Sequence, residues 1–129
     1  MKYMVMTFGE AAEMFETQSK EWITGMIDVM HTFNAELRAA GELVDAQGLV
    51  DGREAKTVRR VGGRSVVTDG PFAEAKESMV GYWIVDVESE ERVQALFCDL
   101  MDRLTALGGA ADDRDMLEIR RIADGPPEV

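Results

Sequence analysis

The chain contains a single cysteine and a single histidine among its 129 residues, and these shortages exclude several kinds of site. Cys98 can form no disulfide within the chain, and a free thiol is typical of the reducing cytoplasm, where we expect the protein to act. One cysteine and one histidine cannot supply a structural zinc site, so we expect no metal. Neither a P-loop nor a dinucleotide-binding glycine pattern occurs, so we expect no cofactor.

Basic residues are scarce relative to acidic ones, 14 against 25, and the formal net charge is −11. Nucleic acids and anionic membranes are bound through basic surfaces that release counterions. We therefore expect neither nucleic acid nor a membrane as a partner. Long apolar runs are also missing, because no segment approaches the roughly 18 apolar residues of a membrane-spanning helix.

Beyond these shortages, the composition is that of one folded domain. Apolar residues make up 46% of the chain and charged residues 30%, which are values typical of globular rather than disordered proteins. A chain of this length buries enough surface to fold without a metal or a disulfide. We expect a single domain over residues 1–129, with a frayed tail from about residue 123.

Apolar residues at helical spacing predict two main helices. The first is predicted to begin after Ser19, which can cap it, and to run to about Ala40 before Gly41. The second is predicted to begin after Ser89, which is followed by two glutamates that favour a helix N-terminus. Residues 10–18 are interpreted as a loop or a short helical turn.

Six strands complete the predicted fold. The pair Gly62–Gly63 is typical of a two-residue hairpin turn between two of them. The order of strands and helices predicts a ferredoxin-like α+β domain, with an antiparallel sheet and two helices on one face. The strands are predicted at residues 2–8, 43–50, 56–61, 64–68, 79–87 and 116–122.

Two of the predicted strands, residues 2–8 and 79–87, are apolar on both faces. Two helices can cover only one face of the sheet, and a solvated second face would show polar residues in alternation. The second face is therefore expected to pack against another copy of the chain. We predict a homodimer that is built sheet against sheet.

Two titratable residues are candidates for catalysis. Asp69 follows a strand and precedes Gly70 and Pro71, so its carboxylate is placed either to accept a proton or to close an Asx-type turn. His31 lies beside the apolar stripe of the first helix, where it is either a proton shuttle or a residue at the boundary of the core.

Four further residues are candidates for the wall of a ligand pocket. Asn34 falls within the apolar stripe of the first helix, where a buried amide needs a hydrogen-bond partner in a ligand, a water or a strand end. Phe72 is expected to line a pocket or to pack in the core or interface. Tyr82 and Trp83 are neighbours in one strand and must face opposite sides of the sheet, so either one is placed to stack on a ligand.

The segment 67–77, VTDGPFAEAKE, followed by Gly81–Ile84, resembles the DGPF branch of the YCII-related family, as does the opening MKYMVMTFG. The resemblance covers most of the chain. It implies a ferredoxin-like fold that dimerises as an α+β barrel, with a pocket between sheet and helices. Some members of the branch are encoded beside extracytoplasmic-function sigma factors, and a few wider relatives look like lyases that act on chlorinated aromatics.

The sequence departs from the wider family at the site that the resemblance implies. That family has a histidine near the start of its first helix and an Asp-Pro motif late in the chain, whereas this chain has only His31 in mid-helix and no Asp-Pro. Two functions are expected on these grounds. The first is a cofactor-free, lyase- or isomerase-like enzyme in which Asp69 and His31 move a proton on a small metabolite. The second is a non-catalytic module that binds a ligand or a protein and is linked to sigma-factor regulation.

Overall fold

The computed structural model describes residues 1–9, 11–69, 78–109 and 115–128, which form an α+β structure with antiparallel sheets and three helices. None of the described helices has both the length and the hydropathy needed to cross a bilayer. The strands are β1 (Lys2–Phe8), β2 (Leu43–Gly48), β3 (Lys56–Val61), β4 (Arg64–Asp69), β5 (Met79–Asp86) and β6 (Leu117–Arg121). The helices are α1 (Ala11–Thr17), α2 (Lys20–Ala39) and α3 (Glu90–Thr105), and a short 3-10 turn (Gly52–Glu54) precedes β3.

Four strands form the main sheet in the order β2, β5, β1, β6, and every neighbouring pair is antiparallel. This order is consistent with the predicted ferredoxin-like fold. The strands β3 and β4 form a separate two-stranded sheet, the hairpin. The segment before α2, interpreted from sequence as a loop or short turn, contains the seven-residue helix α1, which the weak apolar spacing of its sequence did not reveal.

Local sequence signals set the element boundaries where they were predicted. The hydroxyl of Ser19 accepts a hydrogen bond from the backbone N–H of Trp22, and the hydroxyl of Ser89 accepts one from Arg92, both at 3.1 Å. Gly41, just beyond α2, has a φ of 71°, as a left-handed C-terminal cap requires. The helix starts and the end of the first long helix are therefore confirmed.

The hairpin turn is likewise confirmed. Gly62 and Gly63 both have positive φ, 57° and 77°, which the favoured two-residue turn demands and which only glycine adopts without strain. Near the open end of the hairpin, the hydroxyls of Thr57 and Thr68 hydrogen bond to each other across the strands.

The core lies between the main sheet and the helices α2 and α3. Alternate residues of the two central strands point into it, and at its centre the rings of Phe33, Trp83 and Phe97 meet edge to face with centroids 5.2–6.2 Å apart. Edge-to-face contacts of this kind add to the free energy gained by burying the rings. The buried core residues are Tyr3, Val5, Phe33, Leu37, Trp83, Val85, Val87, Val93, Phe97 and Leu100.

Candidate ligand site on the open face of the sheet

The sheet face turned away from α2 and α3 is called the open face. Its centre is apolar and half-buried, and its residues lie directly opposite one another in register: Met4 pairs with Ile84, and Met6 pairs with Tyr82. The strands at the two edges are polar on this face. They contribute Asp45 and Gln47 from β2, and Glu118 and Arg120 from β6.

A β-bulge places Asp45 on the open face. The register of β2 against β5 shifts after Leu43, so that Asp45, and not Val44, lies opposite Ile84. With a regular register, Asp45 would lie opposite Trp83 and face the buried core, because a one-residue slip moves every side chain to the other face. The bulge therefore keeps a carboxylate out of the core and adds it to the open face.

The carboxylate of Asp45 organises a small polar cluster at this edge of the open face. Its Oδ2 accepts a hydrogen bond from the hydroxyl of Tyr82 at 3.0 Å. Its Oδ1 accepts hydrogen bonds from the backbone N–H of Ala46 at 3.0 Å and from Nε2 of Gln47 at 3.1 Å. The side chains of Asp45, Gln47 and Tyr82 are called the polar cluster below.

The polar cluster changes the acidity of Tyr82. The hydrogen bond to the Asp45 carboxylate raises the pKa of the Tyr82 phenol, and partial desolvation and the negative charge of Asp45 raise this pKa further. The phenol, which is protonated at neutral pH in any case, therefore remains a hydrogen-bond donor to a higher pH than an ordinary tyrosine.

The cluster offers more acceptors than donors to an incoming molecule. A carboxylate has about four acceptor positions, of which three are occupied on Asp45. The oxygens of Tyr82 and of the Gln47 amide add further acceptors. An apolar surface beside such a cluster suits a small apolar or aromatic molecule that carries a hydroxyl or an ammonium group.

Two of the sequence-predicted pocket residues lie together on the other side of the sheet. Trp83 is only 4% exposed and faces the helices, where its indole N–H donates a hydrogen bond of 2.8 Å to Oδ1 of Asn34. The amide that the sequence singled out on α2 therefore has a buried indole as its partner. Tyr82 takes the opposite face, as the alternation along the strand predicted, and joins the polar cluster.

The two residues predicted to be catalytic are on separate elements. Asp69 ends β4, its side chain is 77% exposed, and its carboxylate forms an ion pair of 2.8 Å with the ammonium of Lys56. His31 is exposed on α2. Within the described part of the chain, no hydrogen bond joins Asp69 to His31. Phe72 and the rest of the DGPF segment from Gly70 lie outside the described residues.

Sequence reasoning missed Asp45 and Gln47. The two residues alternate with apolar neighbours in a weakly predicted strand, and this alternation was the available signal that they share one face. The bulge at Val44 has no such signal in the sequence.

Two clefts lie on the helical side, and much of their polar lining is hydrogen bonded or ion-paired within the fold. One, of about 220 Å³, lies between α2 and α3, where Glu42 pairs with Arg92, and Glu36 and Asp99 both pair with Arg103. The other, of about 420 Å³, adjoins the start of α2, where the Ser19 hydroxyl caps the helix and the Trp22 indole donates to the carbonyl of Gly108. The open face is therefore the better candidate for a ligand.

Comparison with known proteins gives one family and one similar sequence. Residues 1–120 match the model of the YCII-related domain. The chain is 32% identical over 84 residues to an uncharacterized protein of Rhizobium meliloti (strain 1021). This match covers 65% of the chain and 62% of the relative's own length.

Proposed function

The chain belongs to the YCII-related domain family, and from that premise we propose that it is a homodimer that binds a small molecule at the open face of its main sheet. In this proposal the open faces of two copies pack against each other as a dimeric α+β barrel. The polar cluster lies at the edge of the cavity between them and recognises the ligand.

The observation that carries the proposal is the composition of the open face. Its centre consists of Met4, Met6, Tyr82 and Ile84. A sheet face in permanent contact with water would ordinarily carry polar residues at such positions. Methionine side chains are flexible and polarisable, so they adapt to a partner or a ligand of irregular shape. A second copy would bury this apolar centre and leave the polar cluster as the site of recognition.

Ligand binding is proposed ahead of catalysis. A general base must lie within hydrogen-bond reach of the proton that it removes. Asp69 instead holds an exposed ion pair with Lys56, and His31 is exposed on a helix that covers the other face of the sheet. Nothing in the described geometry joins these two residues to the polar cluster.

Within the family, we propose that the chain belongs to the DGPF branch. The support is the string that begins at Asp69 and reads DGPF, together with the Gly81–Ile84 segment of β5. Some members of that branch are encoded beside sigma factors, which suggests a regulatory role. In such a role the bound molecule would act as a signal and not as a substrate.

The dimer is tested by sedimentation equilibrium of the wild type and of Ile84→Arg. We expect a dimer for the wild type and a monomer for the variant, because burying a guanidinium at the centre of the apolar contact, even beside the Asp45 carboxylate opposite it, is less favourable than burying isoleucine. Thr32→Arg, at an exposed position of α2, is the matched control and should remain dimeric. A wild type that is monomeric at micromolar concentration would contradict the proposed dimer.

The ligand class is tested by NMR titration with benzyl alcohol and with benzoate. Benzyl alcohol carries a hydroxyl donor and should shift amide signals of β2 and β5, whereas the anionic benzoate has no donor and should be repelled by Asp45. Tyr82→Phe and Asp45→Asn should weaken the response to benzyl alcohol, and Asp69→Asn should leave it unchanged. Equal responses to the two compounds would contradict the proposed role of the polar cluster.

A further inference from the structure

The hairpin exposes apolar side chains that a folded domain ordinarily buries. Val58 and Val67 lie directly opposite each other on its two strands, and they are 71% and 65% exposed. Val61, near the turn, is 57% exposed. Val58 and Val67 therefore form a small contiguous apolar patch, which is a candidate for contact with another molecule.

The valines on one face of the hairpin are more exposed than the valines on the other face. The less exposed face carries Val61 and Val66, which are 57% and 37% exposed, and Thr57 and Thr68, which are half-buried and hydrogen bonded to each other. Because side chains alternate along a strand, the other face carries Val58, Arg60 and Val67. These three residues are called the docking face.

The hairpin is poorly supported by the rest of its own chain. Its strands pair only with each other among the described residues, and the buried core takes no residue from them. A two-stranded hairpin alone is marginally stable in water. A partner that is always present would supply the missing burial, and a second copy of the chain is such a partner.

The charge of the hairpin is opposite to that of the rest of the chain. The segment Lys56–Asp69 contains four basic residues and one acidic residue, which leaves ten basic and 24 acidic residues elsewhere. Within the described residues, Arg59, Arg60 and Arg64 form no ion pair. A nucleic acid would meet the repulsion of the acidic remainder and would leave the valines uncovered, whereas a second copy offers both acidic and apolar surface.

We propose that the hairpin is an arm that docks on the second copy of the chain through Val58, Arg60 and Val67. The valines are covered by apolar surface of the second copy, and Arg60 is attracted by the acidic side chains around that surface. This proposal rests on the dimer proposed above and is independent of its ligand.

The arm is tested by measuring the dimer dissociation constant of Arg60→Glu and Arg59→Glu. The two variants change the charge equally at neighbouring positions, but only Arg60 lies on the docking face. We expect Arg60→Glu to weaken the dimer about tenfold in 0.15 M salt and Arg59→Glu to change it less than about twofold, because screening limits long-range effects to about 8 Å. An equal effect of both variants would overturn the assignment of the docking face.

A second measurement tests the apolar part of the docking face without adding charge. Val58→Thr with Val67→Thr keeps β-branched side chains in the strands and should weaken the dimer, whereas Val61→Thr near the turn should not. In the wild type, a higher protein concentration should favour the dimer and so slow the hydrogen exchange of residues 56–69. Exchange in this segment that is independent of protein concentration would overturn the proposal.

The outcomes separate the arm from the proposed sheet-to-sheet contact. A dimer that Ile84→Arg abolishes but that the docking-face variants leave intact would overturn the arm alone. A dimer that survives Ile84→Arg and is weakened by Arg60→Glu would support the arm and overturn the sheet-to-sheet contact.

Discussion

Trp83 and Asn34 form the one side-chain hydrogen bond between α2 and the helix-facing side of the main sheet among the described residues. Replacing Asn34 by Leu would leave the buried indole N–H of Trp83 without an acceptor. An unsatisfied buried donor costs about 1–3 kcal/mol. We expect urea denaturation to show a decrease of that size in the free energy of unfolding.

A double-mutant cycle separates the lost hydrogen bond from a change in packing. Trp83→Phe removes the donor, so Asn34→Leu should destabilise the Trp83→Phe protein much less than the wild type. If Asn34→Leu had the same cost in both proteins, its effect would not come from the indole hydrogen bond.

Tyr82 links the polar cluster to pH. Its pKa is raised above the ordinary value of about 10 by the hydrogen bond to Asp45. The protonated phenol therefore favours the folded state below about pH 10, and this contribution is lost as the pH rises through the raised pKa. Titration of tyrosinate absorbance should show a late-ionising component that Tyr82→Phe removes.

The same titration in Asp45→Asn tests the cause of the shift. Without the carboxylate acceptor, the pKa of Tyr82 should fall towards the ordinary tyrosine value. A titration curve unchanged by Asp45→Asn would show that the polar cluster does not control the ionisation of Tyr82.

At the scale of elements, an ion pair joins the residue before β2 to the first turn of α3. Arg92 Nε and Nη2 donate to the two carboxylate oxygens of Glu42 at 3.0 and 2.7 Å, and the Glu42 side chain is 12% exposed. The hydrogen bonds from Arg92 lower the pKa of Glu42, against the opposing effect of partial burial. A lowered carboxyl pKa stabilises the fold above its unfolded value of about 4.3, and this stabilisation is lost as the pH falls through the lowered pKa.

We therefore expect the wild type to be more stable than Glu42→Gln at pH 7, and the difference to shrink between pH 5 and pH 3, because the wild-type carboxylate becomes protonated. Thermal unfolding at low micromolar concentration measures this difference. Glu54→Gln, in the exposed turn before β3, is the control for the loss of one negative charge. A stability difference that did not change with pH would contradict the role of the ion pair.

The ends of elements were predictable from the sequence where one local residue either allows the required backbone angles or accepts a hydrogen bond from a backbone N–H. Gly62 and Gly63 supply the positive φ of the hairpin turn, and Ser19 and Ser89 supply the acceptors at two helix starts. Each of these signals acts within about three residues, so the sequence alone reveals it.

Contacts between elements were not predictable in the same way. Alternation placed Tyr82 and Trp83 on opposite faces, but the choice of face depends on Phe33 and Phe97, which come from two helices. Glu42 and Arg92 are fifty residues apart in the chain, and the bulge beside Asp45 depends on pairing with β5. Such features follow from tertiary packing, which local patterns do not encode.

At the scale of the whole molecule, the chain combines a large excess of acidic side chains with one basic hairpin. The isoelectric point is near 4.5, so protonation of carboxylates at that pH removes the repulsion that keeps molecules apart. We expect a solubility minimum between pH 4 and pH 5. Turbidity across a pH series measures it, and a flat profile would contradict the expectation.

A variant with two fewer carboxylates provides the control. Glu16→Gln with Glu128→Gln changes two exposed side chains and should move the minimum to higher pH while the circular dichroism spectrum stays the same. A minimum that did not move would show that it comes from partial unfolding and not from net charge.

The bulge at Val44 also lets β2 contribute core residues on both sides of it, Leu43 before and Ala46 after. Val44 has no partner on β5. Because of this, Leu43 faces the helices and Asp45 lies on the open face. A chain shortened by Val44 would pair regularly, with Leu43 still towards the helices and Asp45 still opposite Ile84. Val44 is thus a spacer whose deletion would leave Leu43 and Asp45 on the faces that they now occupy.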